Sequence, residues 1–302
     1  PLHLPIKIIH GKQAGPRILL IAAMHGNELN GTEIINRLST TKILKKIKGT
    51  VIMIPVLNVY GLITRSRYLP GGIDLDHCFP GKKNGNHAAR LAHLFVTEIF
   101  SQTDICIDLQ TGPLHSKNLP QIYVHQADAN AMLLAEQFNA PVISNTTLEK
   151  GSLRHLAYKK KIPYLLYEAG EALSFDDYAI RAGIRGITNV MRNVGMLPIS
   201  QRKEKFIASC HVEKNSWVRA PTSGICHSIV KLGQHIQQGE KLGVIKDPFD
   251  STAPVAVQSQ EEAIIVGINN QPLVHEGESL FQLAVFPKMK QAARQLENWE
   301  PP

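Results

Sequence analysis

Short apolar runs alternate with amphipathic stretches along the first two hundred residues. Residues 18–22, Ile-Leu-Leu-Ile-Ala, have the length and β-branched content of a buried strand, and similar runs stand at 6–9, 51–55, 105–109, 122–124, 142–144 and 164–167. Apolar positions recur at helical spacing over 29–38, 88–100, 129–138, 153–160 and 177–194. Strands alternating with helices predict an α/β domain built in layers. After residue 197 the helical period disappears. From 206 to 284 short β runs alternate with Gly-containing turns, which predicts an all-β unit, and the charged stretch 201–205 reads as a linker. The expected division is therefore 1–200 and 201–302.

Polar groups gather where three of the predicted strands end. His25-Gly26-Asn27-Glu28 follows the first, Gln110-Thr111-Gly112 the second and Glu168-Ala169-Gly170-Glu171 the third. Open α/β sheets bind ligands outside the carboxyl ends of their strands, so these side chains predict one crevice. An imidazole and a carboxylate three residues apart on one loop can converge on a cation, and both are common zinc donors. The connection 55–87 is long and rich in Gly, Pro, Asn, Asp and Arg, as functional loops are.

Composition narrows the classes. The net charge of +8, from 33 basic against 25 acidic side chains, includes basic runs at 42–48 and 159–161 without interleaved aromatics. Such runs read as solvated faces rather than nucleic-acid sites, and an anionic small substrate accounts for them equally well. No apolar run reaches the length of a membrane span, and no signal pattern stands near the amino terminus. Cys78, Cys106, Cys210 and Cys226 form no Cys-x-x-Cys pair, which argues against a zinc ribbon or disulfide framework. A cytoplasmic enzyme acting on a small molecule is the expectation, without nucleic-acid or membrane partners and with self-association open. No Gly-x-Ser-x-Gly elbow, Walker loop or Gly-x-Gly-x-x-Gly turn is present, which leaves serine-hydrolase and nucleotide chemistry unsupported.

Seven motifs occur in one order: His25-Gly26-Asn27-Glu28, Asn58-Val59-Tyr60-Gly61, Ser66-Arg67-Tyr68-Leu69-Pro70-Gly71-Gly72, Cys78-Phe79-Pro80-Gly81, Asp108-Leu109-x-Thr111-Gly112, Asn118-Leu119-Pro120-Gln121-Ile122 and Tyr167-Glu168-Ala169-Gly170-Glu171-Ala172-Leu173. Their succession resembles the succinylglutamate desuccinylase/aspartoacylase family, zinc-dependent deacylases related to the zinc carboxypeptidases. The resemblance implies a layered α/β/α domain with a mixed sheet, followed by a small all-β barrel-sandwich unit similar to an unmodified lipoyl/biotinyl module. It implies that His25 and Glu28 bind one zinc ion, with a water in the open position. Glu168 would carry the proton from that water to the leaving amine, and Arg67 would polarise the scissile carbonyl. Asn58, Asp76 and His77 fall in the motifs that shape the substrate site. The implied reaction is hydrolysis of a small N-acyl amino acid or related amide.

Three positions depart from the family pattern. The third zinc ligand, a histidine in the family, is here Gln110, a neutral amide outside the usual donor set. The Asn-Arg pair that grips the substrate carboxylate is here Asp76-His77. Imidazole does not reproduce arginine's bidentate fork, and Asp76 is expected to repel a carboxylate, which predicts a neutral or cationic distal group. His77 and His115 are the candidate replacement ligands by proximity in sequence. These departures define the alternative of a pseudoenzyme, whose pocket binds a small molecule or partner without hydrolysing it.

Overall fold

The computed structural model describes residues 3–199 and 207–299; the expected linker at 201–205 lies outside them. Strands β1 (Lys7–His10), β2 (Arg17–Ala22), β3 (Thr50–Ile54), β4 (Ile105–Gly112), β5 (Ser116–Val124), β6 (Val142–Asn145) and β7 (Tyr164–Glu171) come first. Helices α1 (Asn30–Thr40), α2 (Val59–Thr64), α3 (His87–Glu98), α4 (Ala129–Phe138), α5 (Leu153–Lys160) and α6 (Asp177–Asn193) alternate with them.

The central strands run β3-β2-β4-β7, all parallel, with β1 added antiparallel at one side and β5 antiparallel at the other. The sheet is therefore mixed. Every residue of β2 after Arg17 is buried, and so is all of β4, because helices cover both faces of a parallel sheet. One apolar cluster joins Leu20, Ile107 and Leu165 to α1, α4 and α6; a second joins Leu19, Cys106 and Leu166 to α3 and α5. The layers are α/β/α. Leu20 is fully buried in the first cluster, so Leu20→Ala is expected to cost about 2–5 kcal/mol in a urea unfolding titration.

Polar side chains set the helix starts. The side chains of Asn86, Asp128, Ser152 and Asp176 accept from the backbone N–H three residues on, capping α3, α4, α5 and α6. Asn58 caps α2 in the same way, inside the long connection read as loop.

The remaining strands are β8 (Cys210–His211), β9 (Lys214–Arg219), β10 (Gly224–Ser228), β11 (His235–Ile236), β12 (Lys241–Lys246), β13 (Val255–Gln258), β14 (Ala263–Asn269), β15 (Leu273–Val274) and β16 (Ser279–Val285). Helix α7 (Met289–Glu297) follows the last strand. A four-stranded sheet, β13-β12-β10-β15, faces a second layer made of β14, β16, β9 and β11. That second layer does not stop at residue 200. The amino-terminal end of β5 pairs antiparallel with β14, and β6 pairs parallel with β8, so one sheet runs through both parts of the chain. Val142, Cys210, Ile264, Val266, Ala284, Phe286 and Ala292 pack along this seam.

Candidate active site

The first predicted corner forms where β2 turns into α1. The backbone leaves the strand through Ala23, a non-glycine residue at φ 48°, a conformation that persists only when neighbours impose it. Leu57 and Asn58 supply those neighbours by donating their N–H groups to the carbonyls of Ala22 and Ala23, both at 2.9 Å. Gly26 then packs on α2 so closely that a Cβ would sit 2.0 Å from the carbonyl carbon of Gly61. His25 and Glu28 are consequently fixed and buried, at 2% and 1% exposure.

Around them runs a charged network. His25 Nδ1 lies 2.7 Å from Glu28 Oε1, and His25 Nε2 lies 3.2 Å from Asp74 Oδ1. Glu28 Oε2 accepts from the backbone N–H of Thr111 at 3.0 Å. Arg67 donates through Nη2 and Nε to Asp74 Oδ2 at 3.0 and 3.1 Å and brings Nη1 to 3.6 Å from Glu28. Burial by itself works against charge on His25, but the negative charge of Glu28 and the contacts with Asp74 and Glu28 outweigh it and raise the imidazole to about 10. Burial likewise works against charge on Asp74, and contact with His25 together with the charges of His25 and Arg67 holds its carboxyl below the ordinary range.

Strands β4 and β7 run past the predicted ends, so Gln110 and Glu168 lie on the strands themselves, paired as direct neighbours. Burial, reinforced by the charge of Glu28, pushes the Glu168 carboxyl up to about 7; the hydrogen bond from Asn118 and the charges of Arg154 and His25 oppose the rise. Asn118 Nδ2 donates to Glu168 Oε1, leaving Oε2 for other partners. Beneath Gln110 lies Asp108, fully buried, whose Oδ2 accepts from Gln110 Nε2 at 2.8 Å and from the Tyr164 hydroxyl at 2.6 Å. Burial raises Asp108 to about 7 against those two hydrogen bonds, with the charge of Asp76 adding to the rise.

His25, Glu28, Arg67, Gln110 and Glu168 all line one cavity of about 320 Å³, together with Thr111, Tyr123, Thr146 and Arg154. That volume suits a small ligand. The other three expected site residues do not line it. Asn58 is fully buried, capping α2 with Oδ1 and donating Nδ2 to the carbonyl of Arg67 at 3.2 Å, so it supports Arg67 from behind. His77 is exposed and outside the cavity lining, so the structure does not bring it to His25 and Glu28 as a replacement ligand. His115 sits at φ 64° in the turn between β4 and β5, outside the cavity lining.

Asp76 corrects the expectation most sharply. Its Oδ2 is 3.0 Å from Arg154 Nη2, and its Oδ1 accepts from the Leu153 N–H at the start of α5. Its charge is spent on Arg154 and a helix terminus instead of facing a substrate. Arg154 also donates to Thr146 Oγ1 at 3.0 Å and brings a guanidinium to the cavity wall. Sequence reasoning missed Arg154, Asp74 and Asn118. Asn118 lies inside one of the seven motifs and Asp74 within the long connection 55–87, whereas Arg154 had no signal beyond its place after the Ser152 cap.

A zinc site needs three protein donors, usually nitrogen, thiolate or carboxylate. His25 and Glu28 supply two. At the third corner Gln110 is a neutral amide tied to Asp108, and no cluster of three His, Cys, Asp or Glu suited to a metal gathers among the described residues. The residues present do not fit zinc in the expected way.

Residues 14–194 match the family model of the succinylglutamate desuccinylase/aspartoacylase catalytic domain. The N-alpha-acetyl-L-2,4-diaminobutyric acid deacetylase of Halomonas elongata is 23% identical over 93% of this chain and 85% of its own length. A crystal structure of a succinylglutamate desuccinylase/aspartoacylase from Rhodobacter sphaeroides superposes with a TM-score of 0.84 at 25% identity, covering 95% of this chain and 90% of that one. The product-bound ectoine utilization protein EutE (DoeB) of Ruegeria pomeroyi shares the fold, with a TM-score of 0.83 at 20% identity over 93% and 89% of the two chains. No helix among the described residues is long and apolar enough to cross a membrane. The match over most of the α/β layers, with His25, Glu28, Arg67 and Glu168 around one cavity, makes this chain a member of the succinylglutamate desuccinylase/aspartoacylase family.

Proposed function

We propose that this chain hydrolyses the amide bond of a small N-acyl amino acid. The observation that carries the reading is Glu168, a carboxyl raised to about 7 on the wall of a cavity it shares with Arg67 and Arg154. A carboxylate tuned to the working pH can take a proton from water through Oε2 and deliver it to the departing nitrogen. Arg67, braced by Asp74, stands where negative charge on the carbonyl oxygen can be balanced. Arg154, oriented by Asp76 and Thr146, offers a fork for a substrate carboxylate. The donor set around Gln110 does not support the zinc dependence that the family resemblance implies, so these steps are assigned to the chain's own groups.

A panel of N-acetyl amino acids and their carboxamides tests the reading. Turnover of the acids is expected to exceed that of the amides, and Arg154→Ala is expected to raise KM for the acids by about 10-fold or more, the value of a lost charge-assisted hydrogen bond. Equal turnover of acids and amides would remove the anionic half of the substrate, and no turnover of either would remove the hydrolase.

The departure at Gln110 favours a second reading, in which the pocket binds such a molecule without cleaving it. His25 Nδ1 and Glu28 Oε1 lie 2.7 Å apart, so the two expected ligands contact each other. Tight binding with no turnover would distinguish this case.

A further inference from the structure

The strands that follow residue 260 reach Glu168 through a row of three residues. Asn118 on β5 pairs with Gly267 on β14, and Gly267 pairs with Gln282 on β16. Asn118 is buried at 4% exposure; its Nδ2 donates to Glu168 while its Oδ1 lies over the bare Cα of Gly267. A Cβ at position 267 would stand 2.7 Å from that oxygen and 3.0 Å from the Cβ of Gln282, so a side chain there must displace one amide or the other. Gln282 reaches across from the far side to donate to the Tyr123 hydroxyl at 3.1 Å, and Tyr123 lines the cavity. The ladder also breaks its regular register beside two residues of this row, between Asn118 and Gln121 and between Ile265 and Gly267. Such irregularities re-aim side chains next to functional sites.

We propose that Gly267 is a positioning residue for Glu168: by leaving room for the Asn118 amide it lets strand β14 clamp that amide onto the carboxyl. The carboxy-terminal strands then form part of the site. The clamp itself stands on geometry, and only its catalytic consequence rests on the reading of Glu168 as the proton carrier.

The test compares Gly267→Ala, Asn118→Ala and the double variant in the full chain. Three quantities are read: the 13C-carboxyl resonance of Glu168 at fixed pH, the thermal midpoint, and kcat with KM. Both single variants are expected to move the Glu168 resonance. Each should lower kcat by about 10–100-fold with KM within about twofold, as misplacement of a reacting group does. In the Asn118→Ala background the added methyl at 267 no longer meets the Asn118 oxygen at 2.7 Å and keeps only its looser contacts with Gln282 at 3.0 and 3.1 Å, so its effect on the midpoint is expected to shrink. Should Gly267→Ala alone fail to fold, recovery of folding in the double variant supports the clamp, and failure to recover overturns it. A folded Gly267→Ala whose Glu168 resonance matches wild type, while Asn118→Ala moves it, also overturns the clamp and leaves the proton carrier intact. A moved resonance in a chain that turns over no substrate keeps the clamp and removes the hydrolase.

Discussion

Glu168→Gln keeps the shape of the side chain and removes its proton transfer, and turnover is expected to fall by about 10²–10⁴-fold. The substrate still meets Arg67 and Arg154, so KM is expected to change little. On the proposed reading Glu168 must be ionised to accept a proton from water, which places the acidic limb of the pH–rate profile near the raised value of about 7. Activity should therefore rise with pH through that point, and the same limb should vanish from the residual activity of the variant. Stability moves the opposite way. The carboxyl is raised from 4.5 when free to about 7 when folded. Between those values the folded chain holds a proton that the unfolded chain has released. Glu168 thus stabilises the fold at low pH, and that contribution is lost as pH rises through the window. Denaturant midpoints measured across pH 4–8 check this, with Glu168→Gln expected to flatten the dependence.

Gln110→His is the second large effect. Position 110 already lines the cavity with His25 and Glu28, and Asp108 lies beneath it as a buried acceptor at 2.8 Å. A histidine there could donate one ring N–H to Asp108 and turn the other nitrogen toward the cavity, the arrangement most metal-bound histidines have. Zinc affinity is expected to rise by more than about 100-fold, since loss of a mere supporting partner commonly costs 10–100-fold. Calorimetric titration with zinc measures this directly, and metal content after purification without chelator gives the stoichiometry. A variant that binds zinc no better than wild type would show that position 110 is not the third corner of the site.

Much of the site was legible because its parts sit in local motifs. His25 and Glu28 share one loop, and Arg67 and Glu168 each fall at a strand end or in a long polar connection. What was illegible depends on pairing at a distance. Gln110 and Glu168 look like the polar stops of apolar strands, yet β4 continues to Gly112 and β7 to Glu171 because each backbone keeps its ladder partners. A hydrophobicity criterion ends a strand where its side chains face a polar cavity. The charge on Asp76 was read against the substrate because Arg154 joins it only through the docking of α5. The row Asn118, Gly267 and Gln282 needs three strands in register, which no local pattern specifies. The expected break at residue 200 marked a change of composition, and the hydrogen-bonded ladder crosses it.

That crossing has a consequence for how the chain comes off the ribosome. Strand β5 supplies Asn118, and the outer edge of its amino-terminal end waits for residues 267–269 to pair with it. While only the first two hundred residues have emerged, that edge is an unpaired strand end, a template for association with other chains. The strand that packs against Asn118 is among the last to be made. A chain interrupted before β14 would carry every residue of the family motifs and lack the strand that packs Gly267 against the Asn118 amide.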